Sequence, residues 1–254
     1  MRIQPAMMGR LGIIVAKPFW RRGYQQGLAS LLDAAERRIG GAAYFCNVHM
    51  LIERLSHREL DRSMRQAAWI FPDGKPIALA MRLFGYRRAE RVAGLDAVPD
   101  LCRMAAERGL GIYFYGGSPD TIVLLKQRLT AAHPELKIVG AVSPPFRPLS
   151  DAEETAELAR IEASGAHLCF VGLGCPKQEL WIARNRGRTG AVLLGVGAAF
   201  NTVAGTLSRS PRWMQHAGLE WLYRLGQEPR RLWKRYAGTN PVFVNLLLRD
   251  LWSR

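Results

Sequence analysis

The chain reads as an α/β protein, a doubly wound and mostly parallel sheet with helices on both faces. Three observations predict this. From residue 40 onward short apolar runs alternate with longer amphipathic ones, the runs are apolar throughout rather than at every second position, and each is bounded by Gly, Pro or Asn. A strand that is apolar on both sides must be covered on both sides, and single helices between strands supply the cover.

Taken in order, strands are predicted at residues 42–46, 68–71, 111–115, 137–141, 167–172 and 191–196. Helices are predicted between them at 57–66, 75–84, 98–108, 120–132, 151–164 and 177–186. Ser118 and Pro119 open one helix as N-cap and first residue, and Ser150 with Glu153 forms a capping box for the next. Gly109 and Gly165 stand where helices end in a left-handed residue. The proline-rich stretch 143–148 is either a plain surface connection or a loop bordering a site. After about residue 205 strands stop. Residues 211–225 and 229–236 read as helices rich in Arg and Trp, followed by an apolar segment at 241–252. The expected organisation is therefore an α/β body over 1–205 and a helical, membrane-associating appendage over 206–254.

Charge sharpens this division. The 254 residues carry 36 Lys and Arg against 21 Asp and Glu, a net +15. Residues 1–100 contribute +7, residues 101–208 only +2, and residues 209–254 +6. A basic protein usually meets nucleic acid, an acidic membrane surface or a phosphorylated substrate. Four of the seven tryptophans (Trp213, Trp221, Trp233, Trp252) lie in the basic tail. Arginine interleaved with tryptophan suits a helix lying on an anionic surface; the alternative is helices packed on the body with solvated basic faces. No apolar stretch is long enough to span a bilayer. The N-terminal residues 1–15 lack a cleavage pattern and read as retained, which predicts a cytoplasmic protein. Cys46, Cys102, Cys169 and Cys175 form no C-x-x-C pair, so most are expected as free thiols on buried strands.

In a doubly wound sheet ligands bind beyond the carboxyl ends of the strands. There the chain offers Asn47, Asp73 with Gly74, Gly116 with Gly117, the run from Gly172 to Glu179, and Gly197 to Asn201. Asn, Asp, several glycines and the Lys177-Gln178-Glu179 run suit a sugar nucleotide, since glycines admit phosphates to backbone N–H groups. A dinucleotide oxidoreductase is disfavoured. Gly172-Leu-Gly174 and Gly195-Val-Gly197 both fail to complete G-x-G-x-x-G, with Lys177 and Phe200 in the third place. Asp73 is either the N-cap of the following helix or a base that accepts a proton from a bound hydroxyl. No D-x-D pair or ligand-spaced cluster occurs, so no metal and no cofactor are expected, and Arg, Lys and backbone amides must meet leaving-group charge. His49 is structural or assists proton transfer. Arg82, Arg87 and Arg88, with Arg91, either hold phosphates or form a solvated face.

Several segments together carry a resemblance. In order they are Asn47, Pro72-Asp73-Gly74-Lys75-Pro76, Glu90-Arg91-Val92-Ala93-Gly94-Leu95-Asp96, Gly116-Gly117, and Val171-Gly-Leu-Gly-Cys-Pro-Lys-Gln-Glu179. Gly195-Val-Gly-Ala-Ala-Phe200, Ser210-Pro-Arg-Trp-Met214, Gly218-Leu-Glu-Trp-Leu-Tyr-Arg224 and Glu228-Pro-Arg-Arg231 follow. Over residues 40–237 this resembles the WecG/TagA/CpsF family, glycosyltransferase family 26. The resemblance implies an inverting hexosyltransferase that moves a sugar from a UDP-sugar to an undecaprenyl-diphosphate-linked sugar at the cytoplasmic membrane face. The family builds surface polysaccharides, exopolysaccharides among them. It further implies Asp73 as the base, and Asn47, Arg91, Gln178 and Glu179 in the pocket. Arg209, Arg212, Arg224, Arg230 and Arg231 would meet the lipid diphosphate from a closing appendage, and homo-oligomers are implied. Two positions depart from the family pattern: Cys46 where Thr is common, and Asn201 where Asp is common. They leave glucosyl, N-acetylmannosaminyl and N-acetylmannosaminuronyl donors open, with a slight lean towards a neutral hexose in an exopolysaccharide pathway. The competing reading is a non-catalytic basic module for anionic lipid or nucleic acid; nucleic acid is disfavoured by the lack of a helix-turn-helix, zinc finger or RNP-like strand.

Overall fold

The computed structural model describes residues 19–253; the N-terminal stretch 1–15, read above as a retained segment, lies outside them. Six strands, β1 (Gly41–Cys46), β2 (Trp69–Pro72), β3 (Gly111–Gly116), β4 (Lys137–Val142), β5 (Leu168–Gly172) and β6 (Val192–Gly195), form one sheet in the order β2-β1-β6-β5-β3-β4. Every neighbouring pair is parallel, as the uniformly apolar runs require.

Successive residues of β1 feed two apolar clusters. Ala42, Tyr44 and Cys46 face the side covered by α2 (Val48–Glu53), α3 (Arg58–Arg65), α4 (Lys75–Leu83) and α8 (Lys177–Asn185). Ala43 and Phe45 face the side covered by α1 (Tyr24–Glu36), α5 (Gly94–Glu107), α6 (Pro119–Ala132) and α9 (Ala199–Ala204). The helices after β1 and β5 thus lie on one face and those after β3 and β6 on the other, which opens a crevice at the carboxyl ends of these strands. α7 (Asp151–Ala163) adds Ile161 to the first face.

Helix ends follow the local chemistry. The Ser118 hydroxyl accepts the Thr121 N–H at 3.2 Å, and Ser150 and Glu153 cap each other reciprocally. α1 was not predicted, although its buried Leu28, Leu31, Leu32 and Ala35 recur at helical spacing. The short α2 and α9 were also unassigned; each has six residues, too few for periodicity to declare. Of the cysteines, Cys46 and Cys169 are buried on strands, but Cys102 is buried on α5 and Cys175 is half-buried in the loop before α8.

The carboxy-terminal helices differ from the reading in two places. The predicted helix 211–225 is divided into α10 (Arg212–Ala217) and α11 (Glu220–Gln227), because Gly218 takes a left-handed conformation at φ +77° and the Leu219 N–H turns back to the Met214 carbonyl. The predicted break near Pro241 is absent, and α12 runs from Pro229 to Trp252. Pro241 is exposed, so water can satisfy the carbonyl it leaves unbonded, and buried Leu232, Phe243 and Leu246 hold the helix on both sides of it. α12 packs on α2, and Phe243 and Leu246 join the apolar cluster of the body. No helix among the described residues is long and apolar enough to cross a membrane.

Candidate active site

Asp73 stands one residue beyond β2, and its N–H donates to the Cys46 carbonyl at 2.9 Å. It is not the helix cap: Gly74 occupies the N-cap of α4 at φ +94°, a conformation glycine tolerates, and no side chain caps the helix. The half-buried Asp73 carboxylate accepts no hydrogen bond among the described residues. Burial pushes its carboxyl up to about 7, against the pull of the Arg91 guanidinium. Glu220 and Asp96 push the same way as burial, and Arg224 opposes it.

Arg91 reaches this carboxylate because the Val92 N–H bonds to the Pro72 carbonyl at 2.9 Å, which lays the segment alongside the end of β2. Its guanidinium is held by Asp96 at 2.5 Å and by Glu220 of α11 at 2.8 Å, while Nε is buried without a partner. Arg209 pairs with the other Asp96 oxygen. A single ion-pair network therefore joins Arg91, whose charge acts on Asp73, to the segment preceding α10 and to α11. Sequence reasoning left Glu220 and Asp96 out of the site; both stand inside motifs already singled out, Glu220 two residues after Gly218 and Asp96 five after Arg91.

A second group forms at the start of α8. Gln178 and Glu179 are buried; Gln178 accepts the Gly174 N–H at 3.2 Å and donates to Glu179 Oε1 at 2.7 Å, leaving Oε2 buried and unpartnered. The Gln178 amide also lies over Gly195, where a side chain would crowd it, and beside Gly197. Burial pushes the Glu179 carboxyl up to about 7, opposed by Gln178, Cys175 and Arg235. Arg235, on α12, belongs to a basic run in which nothing marks it out, and it was not predicted. His49 sits in the first turn of α2, where burial and then Arg235 hold it down to about 3. It is neutral at pH 7 and so is not an imidazolium general acid. Cys46 lies between the two groups; burial, with Asp73 and Glu179 adding, pushes its thiol far up, so it acts as a neutral wall rather than a nucleophile.

The remaining predicted residues are dispersed. Asn47 caps α2 by accepting the Met50 N–H at 3.1 Å, and its amide nitrogen has no partner among the described residues. Gly117 donates its N–H to the Gly172 carbonyl at 3.1 Å, so that group is already used. Gly116 serves packing: a Cβ there would come within 2.6 Å of the Gly172 backbone. Asn201 turns to α6, where its carbonyl oxygen accepts from the Thr121 hydroxyl at 3.5 Å. Lys177 is exposed, with its ammonium over the Phe146 ring of the proline-rich loop, and Ser143 of that loop donates to the Gly117 carbonyl at 2.6 Å. Among the tail arginines, Arg224 faces Asp73, Arg231 pairs with Glu228 at 2.5 Å, and Arg212 and Arg230 are exposed.

The crevice thus brings a carboxyl group raised to about 7 together with the guanidinium groups of Arg91, Arg209 and Arg224. Comparison with known proteins gives this arrangement a context. A family model described as the glycosyl transferase WecG/TagA/CpsF family matches residues 14–254. An N-acetylglucosaminyldiphosphoundecaprenol N-acetyl-β-D-mannosaminyltransferase of Bacillus subtilis (strain 168) is 30% identical over 232 residues, 88% of this chain and 87% of that protein. The chain belongs to the WecG/TagA/CpsF family of glycosyl transferases.

Proposed function

We propose that the chain transfers a hexosyl group from a UDP-sugar to a sugar linked to a polyprenyl diphosphate, with inversion, at the cytoplasmic face of the membrane and in surface-polysaccharide synthesis. The observation that carries the reading is Asp73: a half-buried carboxylate without a hydrogen bond, raised to about 7, beside Arg91 at the carboxyl edge of the sheet. A general base works best when its proton affinity lies near the working pH. The Asp73 carboxylate takes the proton of the acceptor hydroxyl. The freed oxygen bonds to the anomeric carbon as the bond to UDP breaks on the opposite side. Arg91, Arg224 and Arg209, each ion-paired in this structure, are the cations that would exchange a carboxylate for a diphosphate, and Gln178, Glu179 and the Asn47 amide are the groups available to sugar hydroxyls. The chain's own arginines and amides carry the anionic charge that a metal would otherwise share.

The relative's printed activity makes N-acetylmannosamine the first donor to test on an N-acetylglucosaminyl diphosphate lipid. Cys46 and Asn201 favour a second donor, a neutral hexose such as glucose, because both replace the usual polar group with a weaker one. A donor screen with purified protein and a synthetic lipid-diphosphate acceptor, read by UDP release, is the test. Release with one donor, lost in Asp73→Asn, is expected. No release with any UDP-sugar, together with no thermal stabilisation by UDP, overturns the reading.

The exposed Trp213 next to Arg212 and the exposed Trp233 close after Arg230 and Arg231 support a surface that rests on lipid headgroups. Self-association into dimers or trimers belongs to the same proposal, and light scattering tests it.

A further inference from the structure

The +7 of the first hundred residues has no role in the site apart from Arg91. Five of its fourteen arginines gather in one place. Arg21, Arg22, Arg82, Arg87 and Arg88 line one open cleft of about 820 Å³ between the start of α1 and the end of α4. Several arginines elsewhere on the body rest on carboxylates, as Arg38 does on Glu162, Arg108 on Asp33 and Arg184 on Glu154. Arg22, Arg82, Arg87 and Arg88 are exposed and form no ion pair among the described residues. The acidic side chain lining the cleft, Glu90, is already engaged by the Tyr24 N–H at 2.8 Å. Positive charge of this density, left unpaired, needs an anionic partner.

The adjoining face of α4 says which kind. Leu79, Arg82 and Leu83 stand at i, i+3 and i+4, and the two leucines are 55% and 43% exposed, while Ile77, Ala80 and Met81 fill the core. Exposed leucine beside unpaired arginine is the pattern of a helix that sinks side chains among acyl chains and holds phosphates at the headgroup level. A nucleic-acid surface would offer free rings for stacking; the rings at this edge are engaged, Tyr86 under the Arg21 guanidinium at 4.6 Å and Tyr24 through its hydroxyl on Asp100 at 2.7 Å. The strip also continues into the appendage, since a Cβ at Gly218 would lie 3.3 Å from Lys75 Cβ in the first turn of α4.

We propose that the outer face of α4 and the arginine cleft form a second membrane-contacting surface, on the α/β body itself, whose ligand is the phosphate headgroups of anionic lipid. The proposal rests on the membrane reading above and adds to it a footing independent of the tail. Because α4 starts at Asp73-Gly74, this footing sets the base at a fixed height above the bilayer, where a lipid-linked acceptor presents its sugar.

The test uses the full chain and vesicles of phosphatidylcholine with or without phosphatidylglycerol. Arg22→Gln/Arg87→Gln/Arg88→Gln is expected to bind the anionic vesicles about 100-fold more weakly, at about 1 kcal/mol per lost surface arginine. Thermal stabilisation by UDP and turnover on a short-chain, water-soluble acceptor should be unchanged. Leu79→Gln/Leu83→Gln is expected to weaken binding to the same vesicles with the same controls intact. A triple variant that binds anionic vesicles as tightly as the unaltered chain overturns the proposal. So does one that loses affinity for a labelled oligonucleotide and keeps its affinity for vesicles. If the unaltered chain binds no vesicle, the membrane reading falls with it, while stabilisation by UDP leaves the transferase reading standing.

Discussion

α10–α11 and α12 are neighbours in sequence and similar in composition, yet they attach to the body by different physics. α11 buries no residue, and α10 contributes Met214. This pair is held by charge, through Glu220 on Arg91 and through Arg209, just ahead of α10, on Asp96. α12 instead buries Leu232, Phe243 and Leu246, two of them in the main core. The Arg91–Glu220 pair is largely shielded, but the Arg209–Asp96 pair is partly exposed and screened by salt, whereas buried apolar area is not. The difference teaches that α12 is anchored by buried apolar area and α10–α11 chiefly by ion pairs, which converge on Arg91 and Asp96 beside Asp73.

The largest expected effect lies where the charge latch meets the chemistry. Asp73→Asn should keep UDP affinity and lose ~10²–10⁴-fold in transfer, as for loss of a general base; full turnover in this variant removes Asp73 from the role. On the apolar side, Phe243→Ala should cost about 3–5 kcal/mol of stability in denaturant unfolding. A loss below about 1 kcal/mol would mean that α12 is no more anchored than α11.

Proton linkage comes next. Asp73 and Glu179 hold their protons more tightly folded, at about 7, than at their ordinary values of 3.8 and 4.5. Stability from these groups is therefore complete below about pH 4 and falls as the pH rises towards 7. Asp73→Asn should then be more stable than the unaltered chain at pH 8, by roughly 1–3 kcal/mol, and transfer should rise through about pH 7 as Asp73 ionises. Equal stability of the two proteins at pH 8 would show that the Asp73 carboxylate is well solvated.

Glu220→Gln should cost only about 1–2 kcal/mol, while amide exchange speeds up in α11 and not in α12. If both exchange faster together, the two regions open as one and the contrast drawn here is wrong. Trp213→Ala should be the mildest change, within about 0.5 kcal/mol in stability, and is read by weaker retention on anionic vesicles. Unchanged retention would remove α10 from the membrane-facing surface.

Much of the fold was legible. Uniform apolarity reported the parallel sheet, and caps such as Ser118 and Ser150 reported helix starts, because both are local and periodic. What escaped was short or contextual. α2 and α9 are single elements too brief to show a period, and Pro241 reads as a breaker until buried neighbours outweigh its missing bond. Asp73 reads more readily as a cap, and only the backbone of Gly74 removes that reading. Gly116 and Gly117 resembled a phosphate cradle from composition, yet close strand packing uses the space beside one and a hydrogen bond uses the N–H of the other.

The sequence by itself determined the fold class, the basic tail and the family, since these depend on composition, period and the order of motifs. Only the tertiary structure decided which charges meet. Arg91 and Glu220 are far apart along the chain, and Glu179 and Arg235 lie on different helices; no local pattern encodes such pairs. Whether an arginine is neutralised by a carboxylate or left bare, as in the cleft beside α4, depends on what the fold brings next to it.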